Sequence, residues 1–123
     1  MPDSADRPTP VADQYASGGS WVVVVRGELD LGSLPPLRQV VETASVVHPV
    51  LVLDLGDVTF ADSSTLNVLL VAHRATTLRI AAPQPQVLRL LEVTGADRIL
   101  RIYPTTRLAC EAGAPDTDAP TRP

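Results

Sequence analysis

The stretch Val50-Leu51-Val52-Leu53-Asp54-Leu55-Gly56-Asp57-Val58-Thr59-Phe60-Ala61-Asp62-Ser63-Ser64-Thr65-Leu66-Asn67-Val68-Leu69-Leu70 decides the fold of this 123-residue chain. Residues 50–55 are apolar apart from Asp54 and follow a proline, so they read as a buried strand. Asp57 reads as a turn residue in the short connection that follows. Asp62-Ser63-Ser64-Thr65 then opens a helix, because side-chain oxygens of Asp, Ser and Thr accept the free N–H groups of a first helical turn. Leu66, Leu69, Leu70 and His73 recur at helical spacing and form the expected inner face. The same first turn favours negative charge, since its N–H groups and the helix dipole both point there. An exposed serine hydroxyl at that place is therefore a position suited to carrying a phosphate.

Upstream of this unit, Ser33-Leu34-Pro35-Pro36 fits a helix start, with proline tolerated where N–H groups lack partners anyway. Leu34, Leu37, Val40, Val41, Ala44 and Val47 predict one amphipathic helix ending before Pro49. Trp21-Val22-Val23-Val24-Val25 predicts a central strand covered on both faces, with Gly27 ending its clean pattern and Glu28-Leu29-Asp30 leading off its C-terminal edge. Residues 1–20, rich in Pro, Gly, Asp and Ser, read as a disordered lead with an optional edge strand near residues 11–16. Downstream, residues 78–81 predict a short strand. Pro83 and Pro85 then open a helix with Val87, Leu90, Leu91 and Thr94 inward and Gly95 as its stop. Residues 99–103 predict an edge strand, residues 105–111 a short helix, and residues 113–123 a disordered tail. The alternation argues an α/β domain over residues 21–112, with a mixed sheet of four to five strands covered by about four helices. Loops at the strands' C-terminal edges gather on one surface, which makes Asp30 and the Asp62-Ser63 pair candidate neighbours.

Composition narrows the chemistry. All ten basic residues are arginine, they are scattered, and the net charge is −4. Neutralising a nucleic-acid backbone or an anionic membrane needs clustered positive charge, and stacking bases needs aromatics, of which there are only one Trp, two Tyr and one Phe. Direct nucleic-acid and membrane binding are therefore not expected. A single cysteine, Cys110, permits no internal disulfide, and no run of about 18 apolar residues or signal-like N-terminus is present, so a cytoplasmic protein is expected. His48, His73 and Cys110 lack zinc-site spacing. Ala61-Asp62-Ser63-Ser64-Thr65 lacks the glycines of a hydrolase elbow, there is no phosphate loop, and without lysine there is no Schiff base. The chain is not expected to be an enzyme.

Phe60-Ala61-Asp62-Ser63-Ser64-Thr65-Leu66-Asn67-Val68-Leu69-Leu70 resembles the phospho-acceptor segment of the STAS domain, the fold of bacterial anti-sigma-factor antagonists. Gly27-Glu28-Leu29-Asp30 after the strand Trp21-Val22-Val23-Val24-Val25 is a second match. Pro85-Gln86-Val87-Leu88-Arg89-Leu90-Leu91-Glu92-Val93-Thr94-Gly95 is a third, in the same order and at similar spacing, and the resemblance spans about residues 21–108. It implies that Asp30 and Asp62-Ser63 are neighbours and that Ser63 is the phosphorylated residue, with Ser64 and Thr65 as alternative acceptors. It implies a partner-binding surface of Asp30, Asp62, Ser63, Ser64, Thr65 and Asn67. The implied partner is an anti-sigma factor with serine kinase activity, whose capture releases a sigma factor until Ser63 is phosphorylated; a serine phosphatase would reset the state. The kinase would bring ATP and magnesium, and no cofactor or metal is expected on this chain.

Two departures mark this sequence. The family segment has glycine where Thr65 and Asn67 stand, so a β-branched side chain is expected beside the acceptor. Between Ala75 and Leu78 the connection is short, which predicts a helix about a turn shorter than usual or a strained junction. Two other readings accompany the switch. One is a non-switching STAS scaffold or sensor module in which Ser63 only caps a helix. The other is a small nucleotide-binding protein or enzyme using the same strand-end surface.

Overall fold

The computed structural model describes residues 9–113. The start of the expected lead, and the expected tail beyond Gly113, lie outside the described residues. Five strands form one mixed sheet in the order β1 (Val11–Ser17), β2 (Ser20–Leu29), β3 (Val50–Ala61), β4 (Thr77–Ala81) and β5 (Arg101–Tyr103). β1 runs antiparallel to β2 through a Gly18-Gly19 turn, and the other neighbours are parallel. Both turn glycines have positive φ, at 55° and 90°, a backbone that glycine adopts without a Cβ clash.

The parallel strands are joined by α1 (Leu34–Val47), α2 (Ser63–Ala75) and α3 (Pro85–Val93), and a short α4 (Thr106–Cys110) follows β5. Alternation along β2 and β3 divides the sheet into two faces. Val23, Val25, Leu51 and Leu53 pack on one side with Leu34, Leu37 and Val41 of α1, Val68, Leu69 and Ala72 of α2, and Val87 and Leu91 of α3. Val22, Val52 and Ala81 pack on the other with Ala109 of α4. The α/β architecture expected from the alternating pattern is the one found, with the larger core under α1, α2 and α3.

Several details differ from expectation. β2 and β3 do not stop at Val25 and Leu55; they continue as a two-stranded extension to Leu29 and Ala61, past the last β3–β4 pair at Asp54 and Ala81. Gly56 and Asp57 lie inside β3 rather than in a turn. The register with β2 slips there, with Val24 opposite Asp54 and Arg26 opposite Asp57, which is a bulge in β3. Asp54 Oδ1 accepts the Gly56 N–H at 3.0 Å, and a Cβ on Gly56 would stand 3.2 Å from that oxygen, so a larger residue there would press the Asp54 carboxylate aside by a few tenths of an ångström.

The buried face of α2 is Thr65, Val68, Leu69 and Ala72, one step round the helix from the expected one. Leu66 and Leu70 pack against the core from its margin. Val47 of α1 is 65% exposed. Thr94 lies on the surface with its hydroxyl donating to the Leu90 carbonyl at 2.8 Å. The junction after α2 is a single residue, Thr76, with extended backbone at φ −154°, so it carries no left-handed strain. Its hydroxyl reaches the carbonyl oxygens of His48 at 2.9 Å and Pro49 at 3.0 Å, which holds the helix end to the approach of β3.

Candidate functional site

Leu29 of β2 pairs with Ala61 of β3, so the next residues, Asp30 and Asp62, leave adjacent parallel strands at the same edge. Neighbouring strands are about 4.8 Å apart, which makes the two aspartates neighbours by construction. Asp62 is the N-cap of α2: its backbone is extended, and Oδ1 accepts the N–H of Ser64 at 3.0 Å and of Thr65 at 3.4 Å. The Ser64 hydroxyl also donates to Oδ1. That hydroxyl, joined by the two backbone N–H groups, holds the Asp62 carboxyl below the usual carboxylate range.

Asp30 begins a tight turn into α1. Its Oδ1 accepts the Ser33 N–H at 3.0 Å, its own N–H donates to the Ser33 hydroxyl oxygen at 3.0 Å, and that hydroxyl donates to the Glu28 carbonyl at 2.8 Å. The Leu34 N–H donates to the Asp30 carbonyl at 3.0 Å. Ser33 was not singled out as a site residue; the Asp30-x-x-Ser33 spacing, typical of side-chain-closed turns, is the signal that carries it. Beside Asp30 lies an open cleft of about 600 Å³, lined by Thr9, Pro10, Arg26, Gly27, Glu28, Ser33 and Asp57.

The three hydroxyls of the Ser63-Ser64-Thr65 string have different surroundings. Ser63 is exposed and its hydroxyl makes no hydrogen bond among the described residues. Ser64 is half-buried and committed to Asp62. Thr65 is 2% exposed, and its hydroxyl donates to the Leu29 carbonyl at 3.0 Å. This corrects the expectation for Thr65: its side chain points into the protein, so it neither stands beside the acceptor nor offers a hydroxyl to an enzyme or a partner. Asn67 is exposed one turn beyond Ser63, at the mouth of a crevice of about 140 Å³ between α1 and α2 that also involves Arg38, Glu42 and Val71. Ser63, Asn67 and Val71 thus form an exposed stripe at i, i+4, i+8. Nothing in the sequence marks Val71 as outward-facing, because it stands within the continuous apolar run Val68-Leu69-Leu70-Val71-Ala72.

Two further exposed apolar side chains flank the site in sequence, Leu31 next to Asp30 and Phe60 two residues before Asp62. His48 caps the C-terminus of α1 and stacks on Trp21 with ring centroids 4.5 Å apart. Among the described residues, no group of three or more His, Cys, Asp or Glu is arranged to hold a metal ion. No helix among them is long and apolar enough to cross a membrane.

A helix-backed sheet that ends in two hydrogen-bonded aspartates and one exposed serine hydroxyl at a strand edge defines a small α/β domain. Residues 12–109 match the STAS domain family, and the chain belongs to that family. An anti-sigma factor antagonist from Mycobacterium paratuberculosis has a similar structure, with a TM-score of 0.75 and 31% identity over 80% of this chain and 89% of that one. An anti-sigma-factor antagonist (STAS) domain protein from Planctomyces limnophilus matches with a TM-score of 0.76 and 17% identity over 81% and 95% of the two chains. The Bacillus cell fate determinant SpoIIAA in its phosphorylated form matches at 0.62 and 18% identity, over 81% and 96%. The last two likenesses are of fold alone. No curated protein matches the chain.

Proposed function

We propose that this protein is an anti-sigma-factor antagonist whose free form binds an anti-sigma factor with serine kinase activity, and that phosphorylation of Ser63 ends the interaction. One observation carries the reading: of the three adjacent hydroxyls, Ser63 alone is both exposed and unbonded, at the strand edge shared with Asp30 and Asp62. A phosphate there adds about −1.5 to −2 charges beside two carboxylates. A partner surface fitted to the neutral hydroxyl then meets desolvated, unpaired charge, which costs several kcal/mol and lowers affinity by orders of magnitude. The start of α2 tolerates that charge, so binding changes while the fold stays. Ser63, Asn67 and Val71 supply the α2 part of the docking surface, and the Asp30 turn supplies the other part. The chain acts by binding, the kinase supplies ATP and magnesium, and a serine phosphatase restores the free hydroxyl.

The completeness of the Asp62 cap favours a second reading, in which the string serves only to start α2 and the protein is a non-switching scaffold. Pull-down from lysate with wild type, Ser63→Ala and Ser63→Glu, with captured proteins identified by mass spectrometry, separates the two. Capture of a kinase-like anti-sigma factor by wild type and Ser63→Ala, but weakly by Ser63→Glu, supports the switch. Equal capture of that partner by all three removes it and leaves the scaffold.

A further inference from the structure

We infer that Thr65 is a positioning residue for this surface: its buried hydroxyl ties the first turn of α2 to the end of β2 and so fixes the Ser63 helix start against the Asp30 turn. The inference rests on the reading of Ser63 and Asp30 as two parts of one docking surface. The tie is a single hydrogen bond, 3.0 Å from Thr65 Oγ1 to the Leu29 carbonyl, between residues 36 positions apart in the chain. Both partners are interior, with Leu29 at 0% and Thr65 at 2% exposure, so water cannot replace the bond if it is lost.

Its location gives the bond leverage. Leu29 is the last residue of β2, and Asp30, which follows it directly, accepts the Ser33 and Leu34 N–H groups that launch α1. Thr65 sits two residues after Ser63, and its own N–H is held by Asp62. Each half of the surface is closed locally, by Ser33 on one side and by Asp62 on the other. β2–β3 pairing joins the two halves through backbone only as far as Leu29 and Ala61. At that last pair, the Thr65 hydroxyl adds a direct link from the first turn of α2 to the Leu29 carbonyl, the residue before the Asp30 turn. A surface held in its binding geometry before a partner arrives loses less conformational entropy on docking.

The test is amide hydrogen exchange on the full chain, comparing wild type with Thr65→Val, Thr65→Ala and Thr65→Ser. Exchange at Ser33 and Leu34 is read relative to the central β3 amides of Leu51, Val52 and Leu53, which report global opening. In Thr65→Val the relative exchange at Ser33 and Leu34 rises roughly tenfold, as expected when a buried carbonyl loses its donor. Thr65→Ala, which removes the same hydroxyl without placing a methyl against the carbonyl, shows the same rise, and Thr65→Ser restores the wild-type ratio within about twofold. An unchanged ratio in both Thr65→Val and Thr65→Ala, or a Thr65→Ser variant that behaves like Thr65→Ala, overturns the inference. The experiment uses no partner and no phosphate, so its outcome is independent of whether Ser63 is phosphorylated.

Discussion

At the scale of single residues, the site is governed by how each oxygen is occupied. Asp62 has its pKa lowered chiefly by the Ser64 hydroxyl. Ser64→Ala should therefore raise the Asp62 carboxyl back toward the ordinary value, measured by an NMR titration of that carboxyl; an unmoved titration would mean that the backbone N–H groups hold it alone. The sign for stability follows. A carboxyl with a depressed folded pKa stabilises the fold in full above its unfolded pKa and loses that contribution as pH falls below about 4, through the lower folded value. Asp62→Ala should lower Tm at neutral pH and flatten the loss of stability on this acid side. Away from the site, Ala82 has φ 55°, the one non-glycine residue with positive φ among the described residues, and it precedes a proline. Left-handed backbone costs a residue with a Cβ about 1–2 kcal/mol, and glycine gives part of that back as unfolded-state entropy. Ala82→Gly should raise stability by roughly 0.5–1 kcal/mol in urea denaturation, and a fall would show that the methyl packs too well to lose.

At the scale of elements, α2 illustrates why helix phase is hard to read. Residues 66 and 68–72 are all apolar, so hydropathy marks a wide arc and does not choose between Leu66-Leu69-Leu70-His73 and Thr65-Val68-Leu69-Ala72. The second set is the buried one because Asp62 fixes where the helix begins and the sheet beneath fixes which side is down. Thr65, polar by type, is buried because a carbonyl at the end of β2 meets its hydroxyl. The other end of α2 is set by Thr76, half-buried and bonded to two carbonyls on the approach to β3. Thr76→Val leaves both to be satisfied elsewhere and should cost about 1–2 kcal/mol in denaturant titration. A change within about 0.3 kcal/mol would show that solvent replaces the hydroxyl.

Across the whole molecule, the two sheet faces are closed differently. The larger core lies under three helices, whereas the opposite face is covered by α4, and Arg79 of β4 is 2% exposed on that side. Its guanidinium donates to the carbonyls of Ala109 at 2.9 Å and Gly113 at 3.0 Å, at and beyond the end of α4. Arg79→Met should loosen α4, seen as faster proteolysis after residue 104 and a stability loss of about 2–4 kcal/mol. Uniform proteolysis would mean that α4 is held by Ala109 packing instead. Ser63→Glu, in contrast, places one negative charge at an exposed helix start and should leave Tm within about two degrees of wild type. A large drop would mean that the charge disturbs the fold and not only a docked partner.

The sequence by itself determined the α/β alternation, the helix starts at Ser33 and Asp62, the stop at Gly95 and the family, because these depend on local periodicity, capping chemistry and short motifs. Only the tertiary structure decided which of three neighbouring hydroxyls stays free, that β3 continues through Gly56 and Asp57 as a bulge, and that Thr65 faces inward. A hydroxyl is free or committed according to the acceptors brought within about 3 Å of it. For Thr65 that acceptor is the carbonyl of Leu29, 36 residues away.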